Sequence, residues 1–456
     1  MAQKPSRTRQ SSNSPRPVYC IAASERGSEH LNELQKNWLL ANRFEGRLGH
    51  LLPLPDKQGD ISAFAFGMGD ENQETPLKLG LASAALPAGA YELKGYVTEP
   101  EMAALAFRLG AYRFQKYHEK TPPVTLSENQ PQSDEIRALV EAAYIARDLI
   151  NPPANDLGPE AFEKEIRAFA RKRKMTCSAI VGDKLLKQNF PLIHAVGRAS
   201  TQAPRLLDLR WGKKDAPKVT LVGKGVTFDT GGLSIKPTAG MVLMKKDMGG
   251  AANILGLASA IVAGNLKVQL RVLIPVVENA IAGNAFRPGD ILPSRNGMSV
   301  EIGNTDAEGR LILADALSCA SEENPEILID MATLTGAARV ALGPDLPPLY
   351  SSDDALARQL MDLGKKWGDP LWHMPLWQPY DANLSSSVAD VNHISSGGFA
   401  GSITAALFLR RFVKNTDHWV HLDIYGWMPK PQPGRPDGGT DQGIRAAYMM
   451  LKQRYA

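Results

Sequence analysis

The sequence predicts an α/β protein: a small N-terminal α/β domain, then a larger C-terminal domain with a central mixed β-sheet flanked by helices. Three observations predict it. Beyond about residue 135, apolar strand-like runs alternate with helix-length stretches of apolar periodicity, the pattern of a largely parallel or mixed sheet covered by helices. A polar, proline-rich segment between Lys120 and Asp134 divides this region from a shorter mixed one, as a linker does. The length, 456 residues, suggests two or three domains.

In chain order, Met1 to Arg16 is rich in Lys, Arg, Ser, Gln and Pro with no apolar core. It is expected to be a disordered basic tail rather than a secretory signal. Residues 17–119 form the N-terminal domain, with strands at Val18–Ala22 and Ala63–Phe66 and helices at Asn32–Ala41 and Glu101–Gln115. Residues 120–150 are expected to be a linker and a connecting helix, whose Ile136, Leu139, Val140, Ala143 and Ile145 recur at helical spacing. Residues 151–456 are the larger domain. Its strands are expected at Lys218–Val222, Val268–Val277, Ser299–Ile302, Ile327–Met331 and Trp419–Ile424. Its helices are expected at Gly249–Ala263, Glu308–Ser321, Ala355–Lys366 and Ile403–Lys414. Met428 to Gly443 reads as a Pro/Gly-rich loop.

Composition excludes several classes. No apolar run approaches the ~20 residues a membrane helix needs. Three widely spaced cysteines, Cys20, Cys177 and Cys319, argue against a disulfide framework and for a reducing, cytoplasmic setting. The net charge is +4. Lys4, Arg7, Arg9 and Arg16 account for it, which leaves 48 basic against 48 acidic residues. Such a balanced body argues against nucleic acid as a partner.

Chemistry concentrates in two stretches. One is Asn304-Thr305-Asp306-Ala307-Glu308-Gly309-Arg310-Leu311, a loop entering a buried helix whose positive end favours the two acids. Gly309 reads as a turn that a Cβ would obstruct. The other comes after the strand at Lys218–Val222 and runs from Lys224 through Asp229, Gly231, Gly232 and Lys236 to Met244 and Asp247. In α/β proteins, loops at the carboxyl ends of strands build sites. Asp229, Asp247, Asp306 and Glu308 together repel one another and are costly to bury without cations. Two divalent ions would neutralise them. Oxygen ligands suit Mg²⁺ or Mn²⁺, and also Zn²⁺ in an open site. Lys224, Lys236 and Arg310 either balance charge there or stabilise an oxyanion or bound anion.

Other motifs fail. Gly223-x-Gly225 lacks the third glycine of a dinucleotide fingerprint, and no Ser or Thr follows Lys224 as a phosphate loop requires. There is no His-Glu-x-x-His, and His418 and His421 are expected on opposite faces of a strand. A two-metal phosphoesterase usually mixes histidine with its carboxylates, and these stretches contain none.

The octapeptide Asn304–Leu311 resembles, at every position, the signature of the leucine aminopeptidase (cytosol aminopeptidase) family of two-metal enzymes. Lys224–Gly232, Ile235–Pro237, Met244–Met248, Ala146–Asn155, Ala332–Ala337 and Gly401–Leu409 resemble further motifs of that family. The resemblance implies a metalloaminopeptidase that releases N-terminal residues from short peptides through a hydroxide bridging two metals. It implies Lys224, Asp229, Asp247, Asp306 and Glu308 as ligands to two divalent ions, Mn²⁺ or Zn²⁺ with Mg²⁺ or Co²⁺ as further options. Lys236 would donate to the gem-diolate, and Arg310 would hold a bicarbonate as general base. Met244, Thr333, Leu334, Gly336 and position 425 would line the substrate site, Leu334 through its carbonyl. It also implies a homohexamer with the sites facing an inner cavity. One departure stands out: Tyr425 replaces the family's small residue in Asp423-Ile424-Tyr425-Gly426. Either its ring narrows the first specificity pocket, favouring small or unusual N-terminal residues, or it turns away.

Overall fold

The computed structural model describes residues 14–70 and 76–456, which divide into two compact units, one running through Ser133 and the other Asp134–Ala456. Most of the expected basic tail, residues 1–13, lies outside the described residues. Arg16, placed in that tail by the sequence, instead opens β1 (Arg16–Ile21).

The first unit adds α1 (Glu33–Ala41), β2 (Leu51–Pro55), β3 (Ile61–Gly67), α2 (Leu79–Ala85), β4 (Gly89–Gly95), α3 (Pro100–Gly110) and β5 (Val124–Leu126). Its sheet order is β2-β3-β1-β4-β5, parallel except for β2. Asn32 is the cap of α1, its side chain accepting from Gln35 N–H, which satisfies an otherwise orphan donor. The expected helix to Gln115 stops at Gly110. The expected linker also contains a strand, because Val124–Leu126 pairs with Gly89–Tyr91 at the sheet edge, where proline neighbours are tolerated.

The second unit begins with α4 (Asp134–Ile150). The expected connecting helix belongs to this unit, since its apolar stripe Ile136, Leu139, Ala143, Ala146 and Ile150 is buried and it packs on the central α9. There follow α5 (Pro159–Lys172), β6 (Thr176–Val181), α6 (Lys184–Lys187), α7 (Pro191–Gly197), β7 (Arg205–Trp211), β8 (Lys218–Gly223), β9 (Gly225–Asp229), α8 (Thr238–Met241), α9 (Gly249–Ala263), β10 (Gln269–Asn279), β11 (Ile291–Pro293), β12 (Ser299–Glu301), α10 (Glu308–Ser321), β13 (Ile327–Ala332), α11 (Gly336–Leu342), β14 (Pro348–Ser351), α12 (Asp354–Lys366), β15 (Trp372–His373), β16 (Val391–Asn392), α13 (Gly401–Arg410), β17 (Trp419–Asp423) and α14 (Ile444–Tyr455).

The main sheet runs β15-β14-β17-β13-β8-β10-β7-β6, with β9 continuing alongside β10. Strands β17, β13, β8 and β10 are parallel, whereas β14, β7 and β6 pair antiparallel to their inner neighbours. Helix α9, with α4 and α14, packs on β8, β10 and β13, and α10, with α7 and α13, covers the same strands from the opposite face. Both central helices are buried along nearly their whole length. Their apolar content all round, rather than on one stripe, is what a helix enclosed on every side requires.

A buried ion network closes the second unit. Arg147 of α4 donates from Nε to Asp441 Oδ1 at 2.8 Å and from NH2 to Gly434 O at 2.8 Å. Arg445 pairs with the other oxygen of Asp441, and Asp369 accepts from the backbone N–H groups of Gly443 and Arg445. These contacts fix the Pro/Gly-rich loop before α14.

Candidate active site

Four parallel strands end at one edge, and the site is built from the loops and helix starts just beyond those ends. Lys224 comes directly after β8. Its aliphatic chain crosses Gly309, where an added Cβ would lie 2.5 Å from Lys224 Cε. Gly309 is therefore not a turn residue; it is the second residue of α10, and its missing side chain makes room for the lysine. Lys224 Nζ donates to Asp247 Oδ1 at 2.9 Å and to Thr333 O at 2.9 Å, and lies 3.1 Å from Glu308 Oε1. That carbonyl belongs to Thr333, and the N–H of the neighbouring Leu334 donates to Asp423 Oδ1 at 3.0 Å.

Asp229 ends β9. Its Oδ1 accepts from Gly231 N–H and from Asn279 Nδ2, each at 2.8 Å, and its Oδ2 lies 2.8 Å from Lys236 Nζ. Lys236 also touches Asp306. Gly231 and Gly232 have φ of +86° and +64°, left-handed backbone that folds the loop back over the carboxylates. Asp306 sits in a 3-10 turn capped by Asn304, and Glu308 starts α10. Oxygens of Asp229, Asp306 and Glu308 lie within 4.8 Å of one another, close enough to share a metal ion.

Electrostatics follow from this crowding. Burial foremost, then Glu308 and Asp247, push the Asp229 carboxyl well above its ordinary value. Burial also raises Asp247 to about 6, against the pull of Lys224. Burial works against charge on Glu308 too, but Lys224 and Lys236 hold it below the usual range. Burial likewise opposes the charge on Lys224, yet Asp247, Glu308 and Asp229 hold its ammonium above the usual value. Four carboxylates against two ammonium groups leave a formal excess of two negative charges. The donor set, carboxylate oxygens with amine nitrogens, fits hard or borderline divalent cations.

Arg310 is buried, with NH1 donating to His393 O at 2.7 Å. Its Nε is buried with no hydrogen-bond partner among the described residues. Thr333 Oγ1 donates to Asp247 Oδ1 at 2.8 Å. Met244 opens the turn that carries Lys246 and Asp247. Gly336 opens α11 facing free space, where a Cβ would meet nothing within 4 Å. Two cations lie over the Tyr425 ring, Lys246 Nζ at 4.4 Å and Arg339 Cζ at 5.3 Å from its centre.

The structure adds residues to which no motif in the sequence points. Asn279 ties Asp229 to the carbonyl of Thr305. His393 Nδ1 accepts from Gly303 N–H at 3.1 Å, so Nε2 carries the proton and donates to Asn304 O at 2.9 Å. Burial, then Arg310, lowers His393 to about 3, which keeps it neutral, and the Gly303 N–H at Nδ1 selects this tautomer. Asp423, at the end of β17, accepts from Leu334 N–H, Thr335 N–H, Thr335 Oγ1 and Ser402 Oγ. His421 pairs with Asp330 inside the sheet, and His418 precedes β17 and pairs with Asp353, so neither belongs to the site.

Residues 144–448 match the model of the cytosol aminopeptidase family catalytic domain, and residues 29–126 match the N-terminal domain of the same aminopeptidases. The chain belongs to the cytosol aminopeptidase family. A probable cytosol aminopeptidase of Syntrophotalea carbinolica is 39% identical over 401 residues, covering 84% of this chain and 80% of that one. A peptidase B of Pectobacterium carotovorum is 45% identical over 317 residues, 67% and 72% of the two chains. The solved cytosol aminopeptidase of Coxiella burnetii superposes with a TM-score of 0.90 at 42% identity, over 98% and 99% of the chains. The bottromycin maturation enzyme BotP, solved in complex with Mn, superposes with a TM-score of 0.88 at 32% identity, over 97% and 100% of the chains. As a member of this family the chain is a metal-dependent aminopeptidase, a hydrolase acting on peptides. Among the described residues no helix is long and apolar enough to cross a membrane.

Proposed function

We propose that this aminopeptidase works with two divalent ions, Mn²⁺ or Zn²⁺ with Mg²⁺ or Co²⁺ as substitutes, held by Lys224, Asp229, Asp247, Asp306 and Glu308. The observation that carries this reading is the convergence of four carboxylates on two lysine ammonium groups at the carboxyl ends of the parallel strands. Asp229 pairs with Lys236 and Glu308 with Lys224, each under the influence of both lysines, and these two carboxylates serve both ions. Lys224 with Asp247, and Asp306 on the Lys236 side, complete the two positions. Such ions supply an activated water and Lewis acidity at the scissile carbonyl.

The chain's own residues do the rest. Asp247 orients the free α-amine of the substrate. Lys236 Nζ donates to the carbonyl oxygen as it gains charge on becoming tetrahedral. Arg310, with its unpartnered Nε edge, holds an anion beside the site, and bicarbonate is the base that the family resemblance implies. Met244, Thr333, Gly336 and Tyr425 line the first specificity pocket, which the phenol ring narrows toward small or unusual N-terminal residues, and Leu334 meets the substrate through its backbone carbonyl. The enzyme works in the cytoplasm as a homohexamer, whose inner cavity restricts it to short peptides. Exposed Trp372, Trp377 and Phe399 are apolar surface that such an assembly would cover.

The test is a panel of aminoacyl-peptides offered to metal-stripped protein reloaded with Mn²⁺, Zn²⁺ or Mg²⁺, beside Glu308→Ala. Metal-dependent release of the N-terminal residue, lost by at least a thousandfold in the variant, is expected. Full activity in stripped protein, or in Glu308→Ala, overturns the reading.

A further inference from the structure

Asp423 ends β17 beside Ala332, its register partner at the end of β13. It is 2% exposed. Among the described residues no cation pairs with it directly, and its charge rests on four neutral donors. Oδ1 accepts from Leu334 N–H at 3.0 Å and from Thr335 N–H at 3.1 Å. Oδ2 accepts from Thr335 Oγ1 at 2.6 Å and from Ser402 Oγ at 3.0 Å. Behind it, Tyr350 OH donates to Ser402 Oγ at 2.7 Å, so a hydroxyl chain from β14 and α13 holds the carboxylate in place. A buried carboxylate without a counter-ion needs such donors, and bonds to a charged acceptor are about twice as strong as neutral ones.

The carboxylate grips two consecutive peptide groups. In a planar trans peptide the C=O and the N–H point in opposite directions. The Thr333–Leu334 peptide gives its N–H to Asp423, and on its other side Thr333 O accepts from Lys224 Nζ at 2.9 Å. One peptide group therefore stands between the carboxylate and the amine. The two bonds polarise it in the same sense, each strengthening the other. The Leu334–Thr335 peptide gives its N–H to the same carboxylate oxygen, which turns the Leu334 carbonyl away from Asp423. Among the described residues nothing donates to that carbonyl.

We propose that Asp423 is a positioning residue of the reaction: through these two peptide groups it holds Lys224 in place for metal binding and aims the Leu334 carbonyl at an N–H of the substrate. The inference rests on the aminopeptidase reading above and adds a residue to it. Asp423 pairs directly with none of the five proposed ligands, so it acts only through the backbone of Thr333, Leu334 and Thr335. What the role needs is an acceptor at the Oδ1 position. Asparagine supplies one: its amide oxygen takes both N–H groups, and the hydroxyls of Thr335 and Ser402 turn to accept from its NH2. Alanine leaves both N–H groups without an acceptor, and the two peptide groups are then free to rotate.

The test sets Asp423→Asn and Asp423→Ala beside the wild type in three measurements on the full chain. Mn²⁺ titration of metal-stripped protein should show Asp423→Ala binding on the order of 10–100-fold more weakly, and Asp423→Asn close to the wild type. In Asp423→Ala, kcat on the best aminoacyl-peptide should fall by roughly a hundredfold, the cost of an ångström of misplacement. Asp423→Asn should recover most of that loss. Hydrogen exchange read by mass spectrometry stands apart from turnover: the Leu334 and Thr335 amides should be protected in the wild type and in Asp423→Asn, and open in Asp423→Ala. Wild-type amides that exchange without protection overturn the inference before any variant is made. So does Asp423→Ala with wild-type kcat and Mn²⁺ affinity, or Asp423→Asn as impaired as Asp423→Ala in protein that melts near the wild type. Should Asp423→Ala not fold, Asp423→Asn still decides, since loss of its Mn²⁺ affinity and amide protection overturns the inference. Absence of release by the wild type sinks the aminopeptidase reading, and the titration and exchange then still decide whether Asp423 positions Lys224.

Discussion

Gly309 illustrates how a single absent side chain sets the chemistry of the site. Its Cα faces the aliphatic chain of Lys224, and a methyl group there would lie 2.5 Å from Cε and 2.7 Å from Nζ. Because Gly309 is in a helix, Gly309→Ala is favourable for the backbone by roughly 0.5–1 kcal/mol, so its cost is confined to the lysine. The variant should fold and melt near the wild type while binding Mn²⁺ on the order of 10–100-fold more weakly, the range for losing support of a ligand. Calorimetric titration of metal-stripped protein measures it, and unchanged affinity would show that Lys224 does not need this path. Individual residues also mark how far the sequence can be read. Lys224, Asp229, Lys236, Asp247, Asp306 and Glu308 stand out because acids and lysines cluster within short stretches after apolar runs, and the structure brings all six together. Asn279 and His393 do not stand out. Each is a lone polar residue with no partner at a fixed spacing; what places it is the end of β10 or the strand β16, a tertiary relation that no local pattern encodes.

At the scale of elements, the same contrast holds. Helices α9 and α10 begin and end where the sequence predicts, because each is a long apolar run bounded by Gly or by a capped loop. Strands β6 and β7 are not legible in the same way. Thr176–Val181 and Arg205–Trp211 carry polar residues at intervals, and they become strands by pairing antiparallel at the sheet edge, where one face stays wet. Helix α14 is equally hard to read, since its basic residues obscure an almost wholly buried segment. Within it, the charge of Arg445 is satisfied by Asp441. Burial opposes the charge of this carboxylate, but Arg147, Arg445 and Arg435 hold it well below the ordinary range. A depressed folded-state value means that the stabilisation is present above the unfolded value of about 4 and is lost as pH falls below it toward the folded value. Asp441→Asn should therefore lose about 3–5 kcal/mol at neutral pH, the usual cost of stranding buried charge. It should also flatten the acid limb of the stability curve between about pH 4 and pH 2. Urea unfolding across that range decides it; a wild-type acid limb in the variant would rule out this carboxylate as its source.

For the whole molecule, the division into two compact units predicts how metal acts on stability. All five proposed ligands lie in the second unit, and a ligand that binds only the folded form stabilises it by about 2.7 kcal/mol at a hundred times its Kd. Scanning calorimetry with and without Mn²⁺ should thus raise the transition belonging to Asp134–Ala456 by several degrees. The isolated first unit, expressed through Ser133, should melt at the same temperature in both conditions. A shift in that isolated unit would mean that Mn²⁺ binds outside the proposed ligands.

The Arg147–Asp441 pair spans 294 positions of the chain. During synthesis, α4 emerges with a guanidinium whose counter-charge is still to be made. Nearly the whole chain must leave the ribosome before that arginine can be buried without penalty. A chain cut short before Asp441 leaves Arg147 without the carboxylate it pairs with in the folded enzyme.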